Sequence, residues 1–377
     1  MKKPLIKEKV RIELRKGLSF LLHSLEGKYV SAQHRIHNGK EGKIFIVFDE
    51  GLAIQSVDNG ENWEKYEGLK NWPNCNRGLF YVHSHWVAIE SGVKLRRSYD
   101  NGRTWPVIEK ITTPDDIHFR GLGRPNIFST ILTSNGTIVM VADNFLGQEG
   151  PDGQVICSMV SKDAGHTWEV SRLFAPADPL PNGPEGFGEP AVVEMPSNGW
   201  LWMVMRTLYG ELWQCISRDS GLTWNDPTPT GLASPIANCY AYRIPKSSGI
   251  VLCWNLTKPG SINDFRARTS LYRPRTNLVF AVSHDNCRTW SCPVTVEKLS
   301  GLYPTIHFNE TTMFIMYQSS KDDSAEAWED YGLTLVTYDK EEVDSLPAWT
   351  TETIQPFIDD GLVAHWLSLA CIKETKI

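Results

Sequence analysis

Two short segments combine arginine with a side chain that can act as a base. His118-Phe-Arg120-Gly-Leu-Gly-Arg124-Pro125 is a basic loop loosened by glycine, and Tyr240-Ala-Tyr242-Arg243 opens a later apolar run. Arg holds a carboxylate through a planar, permanently charged fork of N–H donors. Neutralising the carboxylate of a uronic acid acidifies the adjacent C–H, which a His or Tyr base can then deprotonate. The segments fit β-elimination on an acidic sugar; the alternative is that His118 only bonds backbone groups of its loop.

Other common chemistries lack the residues that they need. Gly-x-Gly elements occur without the strand-turn-helix context of nucleotide-binding loops. The ten His are isolated from Cys, Asp or Glu at ligand spacing, and the eight Cys form no C-x-x-C pair. We therefore expect no metal and no other cofactor. Cys157, Cys215 and Cys253 lie in apolar runs and are predicted to be buried free thiols, which favours a reducing compartment.

The charge pattern limits the partners of the chain. Its 377 residues carry a net charge of −6 with no long basic run, so we expect no nucleic-acid partner and no binding to an anionic membrane. No stretch approaches 18 apolar residues and no apolar segment follows the basic N-terminus, so no membrane span is expected. The sequence as it stands predicts a cytoplasmic protein, or a secreted or periplasmic one if a signal peptide has been removed.

A repeated eight-residue pattern, here called the box, organises the chain. It reads Ser-x-Asp-x-Gly-x-Thr/Asn-Trp, and its copies begin 42 to 66 residues apart at Ser56, Ser98, Ser161, Ser217 and Ser283. Asp accepts hydrogen bonds from a turn, Gly supplies a left-handed residue, and Trp covers the neighbouring strands. These aspartates are therefore assigned to turns and not to catalysis. Cys287 stands in the Gly position of the fifth copy, which predicts mild strain and a different bend there.

The box spacing matches the size of a four-stranded propeller blade. Paired β-rich runs precede each box, and a further unit without a box covers Tyr303 to Phe308, Met313 to Tyr317 and Leu333 to Tyr338. This predicts one all-β domain over residues 1–377, a propeller of four-stranded antiparallel blades closed by pairing of its N- and C-terminal strands. Six blades are expected, with seven as the alternative.

The boxes resemble those of the sialidase (neuraminidase) superfamily, also known for its BNR or Asp-box repeats. Three further segments are similar to that superfamily and occur in its order: Gly188-Glu189-Pro190 with Met205-Arg206, Arg275-Thr-Asn277, and Gly301-Leu-Tyr303-Pro. The resemblance implies that Tyr303 is a nucleophile, that Glu189 is its base partner, and that Arg206 and Arg275 bind a substrate carboxylate. Starts of strands near a propeller axis would bring the four residues into one pocket.

Two features depart from the superfamily. Its first carboxylate-binding Arg corresponds to Arg35 in Arg35-Ile36-His37, where the usual Pro is missing. Its acidic loop is largely absent, because only 20 residues separate Arg35 from the first box. Asp49, in Phe48-Asp49-Glu50-Gly51, is a candidate for the general acid; the alternative is that this carboxylate pair only solvates a turn.

Three functions are compatible with these residues. The first is a sialidase-like exo-glycoside hydrolase acting on a terminal acidic sugar, with a glycan or acidic monosaccharide as its partner. The second is a lyase or hydrolase acting on a glycan that contains uronic acid or rhamnose, with Arg206 neutralising the carboxylate and His118 or Tyr240 as base. The third is a propeller that binds glycans without turnover.

Overall fold

The computed structural model describes residues 6–10, 35–38, 43–47, 53–60, 62–65, 78–90, 94–100, 102–111, 126–145, 154–171, 187–207, 210–256, 275–299, 301–319 and 332–348. Within them, strands form six four-stranded sheets. Five sheets each consist of four consecutive strands, and the sixth is completed by the first strand of the chain. All strand pairs are antiparallel, so the prediction of an all-β propeller with four-stranded antiparallel blades is confirmed.

The sheets are numbered along the chain. Sheet 1 contains β2 (Arg35–Asn38), β3 (Ile44–Val47), β4 (Ala53–Ser56) and β5 (Glu64–Lys65). Sheet 2 contains β6 (Gly78–Val82), β7 (His85–Glu90), β8 (Lys94–Ser98) and β9 (Val107–Lys110). Sheet 3 contains β10 (Asn126–Leu132), β11 (Ile138–Phe145), β12 (Gln154–Ser161) and β13 (Glu169–Val170). Sheet 4 contains β14 (Gly188–Glu194), β15 (Leu201–Arg206), β16 (Glu211–Ser217) and β17 (Thr228–Ala233). Sheet 5 contains β18 (Tyr240–Arg243), β19 (Ile250–Asn255), β20 (Leu278–Ser283) and β21 (Val294–Glu297).

Sheet 6 joins strands from both parts of the chain. It contains β22 (Gly301–Phe308), β23 (Thr312–Ser319), β24 (Gly332–Asp339) and β1 (Ile6–Val10), and β1 pairs with β24 at its edge. A short helix, α1 (Lys340–Asp344), follows β24 and is capped by the Asp339 carboxylate. The described strands form no seventh sheet, and the C-terminal segment 361–377 lies outside the described residues.

The strand register separates two faces of the propeller. In sheet 4, Gly188 at the start of β14 lies opposite Arg206 at the end of β15, whereas Leu201 at the other end of β15 lies opposite Ser217. Ser217 begins a box. The starts of the first strands therefore lie on one face of the propeller, and the boxes lie on the opposite face.

The box turns have the hydrogen bonds expected from their residues. In the first copy, Gly60 N donates to Ser56 Oγ (2.8 Å), Ser56 Oγ donates to Asp58 (2.7 Å), Asn62 N donates to Asp58 (2.9 Å), and Trp63 Nε1 donates to Gly60 O (3.0 Å). The four later copies keep the serine and aspartate bonds. The assignment of these aspartates to turns is confirmed.

The fifth box shows the predicted strain. Cys287 has a φ of 64°, yet its N–H still donates to Ser283 Oγ (2.9 Å). Within the described residues no bond joins Trp290 Nε1 to the Cys287 carbonyl; the Trp290 ring instead packs 5.6 Å from that of Trp202. The fifth box therefore differs from the other boxes in the contacts of its tryptophan, whereas its turn keeps the backbone hydrogen bond to the serine.

Apolar side chains of adjacent sheets pack against each other to form the core. Six cysteines are described, and all are free thiols: Cys157, Cys215, Cys239, Cys253 and Cys287 are buried, and Cys292 is half-buried. The prediction of buried free thiols is confirmed for Cys157, Cys215 and Cys253. No helix in the described part of the chain is long and apolar enough to cross a membrane. Nor do three or more His, Cys, Asp or Glu side chains gather there in a group that could hold a metal ion.

Gly165 of the third box permits a direct test of packing between sheets, with Gly136 in the turn between β10 and β11 as its control. A Cβ at Gly165 (φ 87°) would lie 2.5 Å from Leu95 Cδ1 of sheet 2, whereas a Cβ at Gly136 (φ 84°) would meet nothing within 4 Å. Both Ala variants incur about 1–2 kcal/mol for the left-handed backbone. We expect Gly165→Ala to lose about 1–3 kcal/mol beyond Gly136→Ala, because the extra methyl group overpacks the sheet interface. Urea denaturation measures both, and equal losses would contradict an intersheet contact at Gly165.

Candidate functional site

A cavity of about 540 Å³ marks the propeller axis. It is lined by residues from the first strand of every sheet, including Ile36, Phe80, Thr130, Val193, Tyr242 and His307. The first strands are therefore innermost, as a propeller requires. Glu189 and Tyr303 precede the lining residues of β14 and β22, which places both at the same end of this axial cavity.

Glu189 and Tyr303 occupy equivalent positions in sheets 4 and 6. Each is followed by Pro near the start of an innermost strand, and the pairing register of each strand shifts at that point. Their φ angles are 46° and 49°, values that bulky residues seldom adopt. A bulge of this kind redirects a side chain out of the regular alternation of a strand. The side chains of Glu189 and Tyr303 therefore do not follow the regular alternation of the other side chains of β14 and β22.

Glu189 forms a buried ion pair with Arg206. Arg206 Nη1 lies 2.8 Å from Glu189 Oε2, and both residues are only 6% exposed. Arg206 reaches Glu189 because the end of β15 lies beside the start of β14. The described contacts of Glu189 include no hydrogen bond to Tyr303. Glu189, the predicted base partner of Tyr303, is therefore paired with an arginine in this structure.

Arg275 lies beside Tyr303. The centre of its guanidinium is 5.5 Å from the centroid of the Tyr303 ring, a cation–π distance. Its Nε donates to Ile236 O (3.1 Å), and the residue is 4% exposed. Tyr303 itself is half-buried. An anion that meets Arg275 would therefore lie close to the phenol.

The segment between sheets 4 and 5 connects the two pairs. Ile236 accepts from Arg275, and three residues later Cys239 lies near enough to Glu189 and Arg206 for both charges to act on its thiol. Burial raises the pKa of Cys239 to about 12, with the Glu189 charge adding to the rise and Arg206 opposing it. Cys239 is therefore a neutral thiol at physiological pH. Two contact pairs, Glu189–Arg206 and Arg275–Tyr303, thus lie at the same end of the axial cavity with one chain segment beside both, and the four residues are here called the Glu–Arg–Tyr cluster.

The two predicted tyrosines of sheet 5 lie along the axial cavity. Tyr240 begins β18, at the same end of the cavity as the cluster, and both Tyr240 and Tyr242 line its wall. The Tyr242 ring packs 5.8 Å from Phe308 and 6.2 Å from His307, deeper in the cavity. Burial lowers the pKa of His307 to about 4, so it adds no positive charge there at neutral pH.

The remaining predicted site residues cannot be located with the cluster. Arg35 begins β2, but its side chain lies outside the described residues. Asp49, His118 and Arg124 lie wholly outside them. A general acid at Asp49 and a basic loop at His118 and Arg124 stay predictions.

Two buried polar residues near the cluster were not predicted. Asp143 ends the apolar part of β11, and its carboxylate accepts from the backbone N–H of Glu189 (2.9 Å). Asn255 ends β19 and contacts the backbone of Arg275 and Gly301. Their only sequence signal is a polar residue at the end of an apolar run. Arg206 ends the second strand of sheet 4, so the second strands of three successive sheets each carry a polar residue at or near the end that faces the site.

The Glu189–Arg206 pair permits a test of its energetics. Arg206→Met leaves a buried carboxylate unpaired, and we expect it to lower the free energy of unfolding by about 3–5 kcal/mol. Adding Glu189→Gln should recover much of that loss, because the uncompensated charge disappears. A double-mutant cycle in urea measures the coupling. Lys246→Met is the control, since it breaks the exposed Lys246–Glu310 pair (2.9 Å) and should change stability little. Additive losses at Glu189 and Arg206 would contradict a coupled pair.

Comparisons with known proteins agree with this architecture. A family model, the BNR repeat-like domain, matches residues 69–317. A comparison with curated protein sequences gave no match. Among solved structures, a protein of unknown function from Dyadobacter fermentans superposes with a TM-score of 0.60 at 16% identity, covering 89% of this chain and 98% of that one.

Two sialidases share the fold at lower similarity. A mutant of the NanB sialidase from Streptococcus pneumoniae gives a TM-score of 0.54 at 11% identity, covering 82% of this chain and 68% of that one. Trypanosoma rangeli sialidase, in complex with 2,3-difluorosialic acid as a covalent intermediate, gives 0.54 at 14% identity, covering 89% of this chain. This chain spans only 59% of the trypanosomal protein. On its repeats, its sheets and the family match, the chain belongs to the BNR repeat-like domain family and has the β-propeller fold of the sialidase superfamily.

Proposed function

We propose that the protein is a sialidase-like exo-glycoside hydrolase that acts on a terminal acidic sugar. The observation that carries this proposal is the Glu–Arg–Tyr cluster, in which Tyr303 lies beside Arg275 at the same cavity end as the Glu189–Arg206 pair. The same fold in sialidases, including one described as a covalent intermediate with 2,3-difluorosialic acid, supports it.

The residues suggest how such a reaction would proceed. Arg275 and Arg206 attract the sugar carboxylate, which sets the anomeric carbon near Tyr303. The phenol oxygen attacks that carbon while its proton passes to Glu189, and the bond to the leaving oxygen breaks. An acid protonates the leaving oxygen; Asp49 is our candidate. Water then attacks the anomeric carbon and gives one proton to the carboxylate left by the acid, while the glycosyl–tyrosine bond breaks and Glu189 returns its proton to the phenol oxygen of Tyr303.

The Glu189–Arg206 pair fits a resting state in this scheme. A carboxylate ligand that approaches Arg206 competes with Glu189 for the same guanidinium. Glu189 would then turn from Arg206 towards the phenol proton. Catalytic hydrogen bonds commonly tighten only when substrate is present, so the contact seen here is compatible with a basic role for Glu189.

A lyase acting on uronic-acid glycans is the second candidate. It is favoured by Tyr240, which lines the axial cavity at the cluster end and could remove a proton beside a carboxylate that Arg206 neutralises. His118 is the alternative base. Hydrolysis of a rhamnose- or uronate-containing glycan, and glycan binding without turnover, are the remaining alternatives.

The first experiment measures fluorophore release from an α-sialoside by the wild type and by Tyr303→Phe. We expect the substitution to lower kcat by at least about a thousandfold, because it removes the nucleophilic oxygen. Tyr338→Phe is the matched control. The Tyr338 hydroxyl is buried without a hydrogen-bond partner among the described residues, so its loss should leave activity unchanged.

A panel of uronate glycans, followed by ultraviolet absorbance, distinguishes the candidates. A new C=C bond would indicate the lyase, and Tyr303→Phe should then have little effect. Sialoside turnover that survives in Tyr303→Phe would rule out the proposed nucleophile. Binding of acidic sugars without any product would leave the non-catalytic propeller.

A further inference from the structure

Asn255 joins two parts of the Glu–Arg–Tyr cluster. Its side-chain Nδ2 donates to Arg275 O (2.9 Å), Thr276 O (3.2 Å) and Gly301 O (2.9 Å). Arg275 carries the guanidinium beside Tyr303, and Gly301 begins the strand that holds Tyr303 two residues later. The Asn255 side chain is therefore hydrogen-bonded to the backbone segments that carry both members of the Arg275–Tyr303 contact.

The orientation of this amide follows from its neighbours. Three carbonyl oxygens face it, and carbonyls only accept hydrogen bonds, so the NH₂ group must point towards them. Asn255 is fully buried, which makes each bond costly to lose. Gly301 N also donates to Arg275 O (3.1 Å), so the two segments are joined directly as well as through Asn255.

The same arrangement occurs at the other half of the cluster. Asp143 lies two residues before the end of the second strand of sheet 3 and binds Glu189 N, which lies 46 positions later in the chain. Asn255 ends the second strand of sheet 5 and binds Gly301, also 46 positions later. In both cases a polar residue at or near the end of a second strand binds the start of the innermost strand in the next sheet. The innermost strand then continues into a left-handed residue of the cluster.

We propose that Asn255 is a positioning residue that sets the separation between the Arg275 guanidinium and the Tyr303 phenol, and with it the selectivity for a carboxylate ligand. The part about the ligand rests on the proposed function. The part about geometry does not, because it concerns two protein groups only.

Chemical labelling tests the geometry without any substrate. Phenylglyoxal modifies accessible arginines, and tetranitromethane nitrates accessible tyrosines. In Asn255→Ala the Arg275 segment loses its anchor, so we expect labelling of Arg275 and Tyr303, read by peptide mass spectrometry, to rise at least about fivefold while that of Arg97 does not. Arg97 is fully buried in sheet 2.

Two further variants guard against general unfolding. Ser291→Ala removes an equally buried polar group that binds Val282 N (3.0 Å) in the same sheet. It should leave the labelling of Arg275 unchanged. Asn255→Asp keeps the shape of the side chain but replaces the donor with an acceptor facing three carbonyls, so it should reproduce the effect of Asn255→Ala. Unchanged labelling in both Asn255 variants would overturn the proposal.

Ligand selectivity provides the second measurement. Binding of N-acetylneuraminic acid is compared with that of its methyl ester, which lacks the negative charge. If the wild type prefers the acid, Asn255→Ala should reduce the preference at least about tenfold, and Ser291→Ala should keep it. A wild type without preference would refute the carboxylate clamp of the proposed function, whereas labelling would still decide the positioning role. A preference that persists in Asn255→Ala would overturn the role in selectivity.

Discussion

Contacts between box turns and the neighbouring sheet are the constraint on which the arrangement depends. Trp224 of sheet 4 donates from Nε1 to Ser158 Oγ of sheet 3 (3.0 Å). Arg97 of sheet 2 donates to the carbonyl of Ala164, in the box of sheet 3 (2.6 Å). The first box closes the circle, because Asn59 accepts from Asn309 of sheet 6 (3.0 Å). These contacts join sheets 2, 3 and 4 to one another and sheet 6 to sheet 1, and the innermost strands of all six sheets line one cavity.

The box turns determine the backbone conformation on one face of the propeller, whereas the opposite face contains less regular backbone. Glu189 and Tyr303 adopt left-handed conformations there, each at a cost of about 1–3 kcal/mol that surrounding contacts must offset. Asp143 supplies one such contact at Glu189 N, and Asn255 supplies another before Tyr303. The following prolines restrict the backbone further. The buried polar side chains beside the two bulges therefore help to offset the backbone strain at those bulges.

The box pattern was enough to predict the fold because its chemistry is local. Ser, Asp, Gly and Trp interact within eight residues, so spacing in the sequence determines the turn. Glu189, Arg206, Arg275 and Tyr303 could be predicted only through resemblance, although their strand starts could be found from the apolar runs. The pairing of Glu189 with Arg206 could not be predicted, since it depends on the register between β14 and β15. Asn255 gave no usable signal, because its partners lie 20 and 46 residues away along the chain.

The charges of the cluster bear on the kind of ligand it can accept. Glu189 balances Arg206 at 2.8 Å in a site shielded from water, so that pair adds little net field at the cavity mouth. Arg275 lies next to a phenol, with its guanidinium 5.5 Å from the centroid of the Tyr303 ring and its Nε donating to Ile236 O. Under the proposed function, a neutral sugar brings no charge to either arginine, whereas a carboxylate can bind a guanidinium and compete with Glu189 for Arg206. An acidic ligand is thus the one that can change the internal pairing of the site.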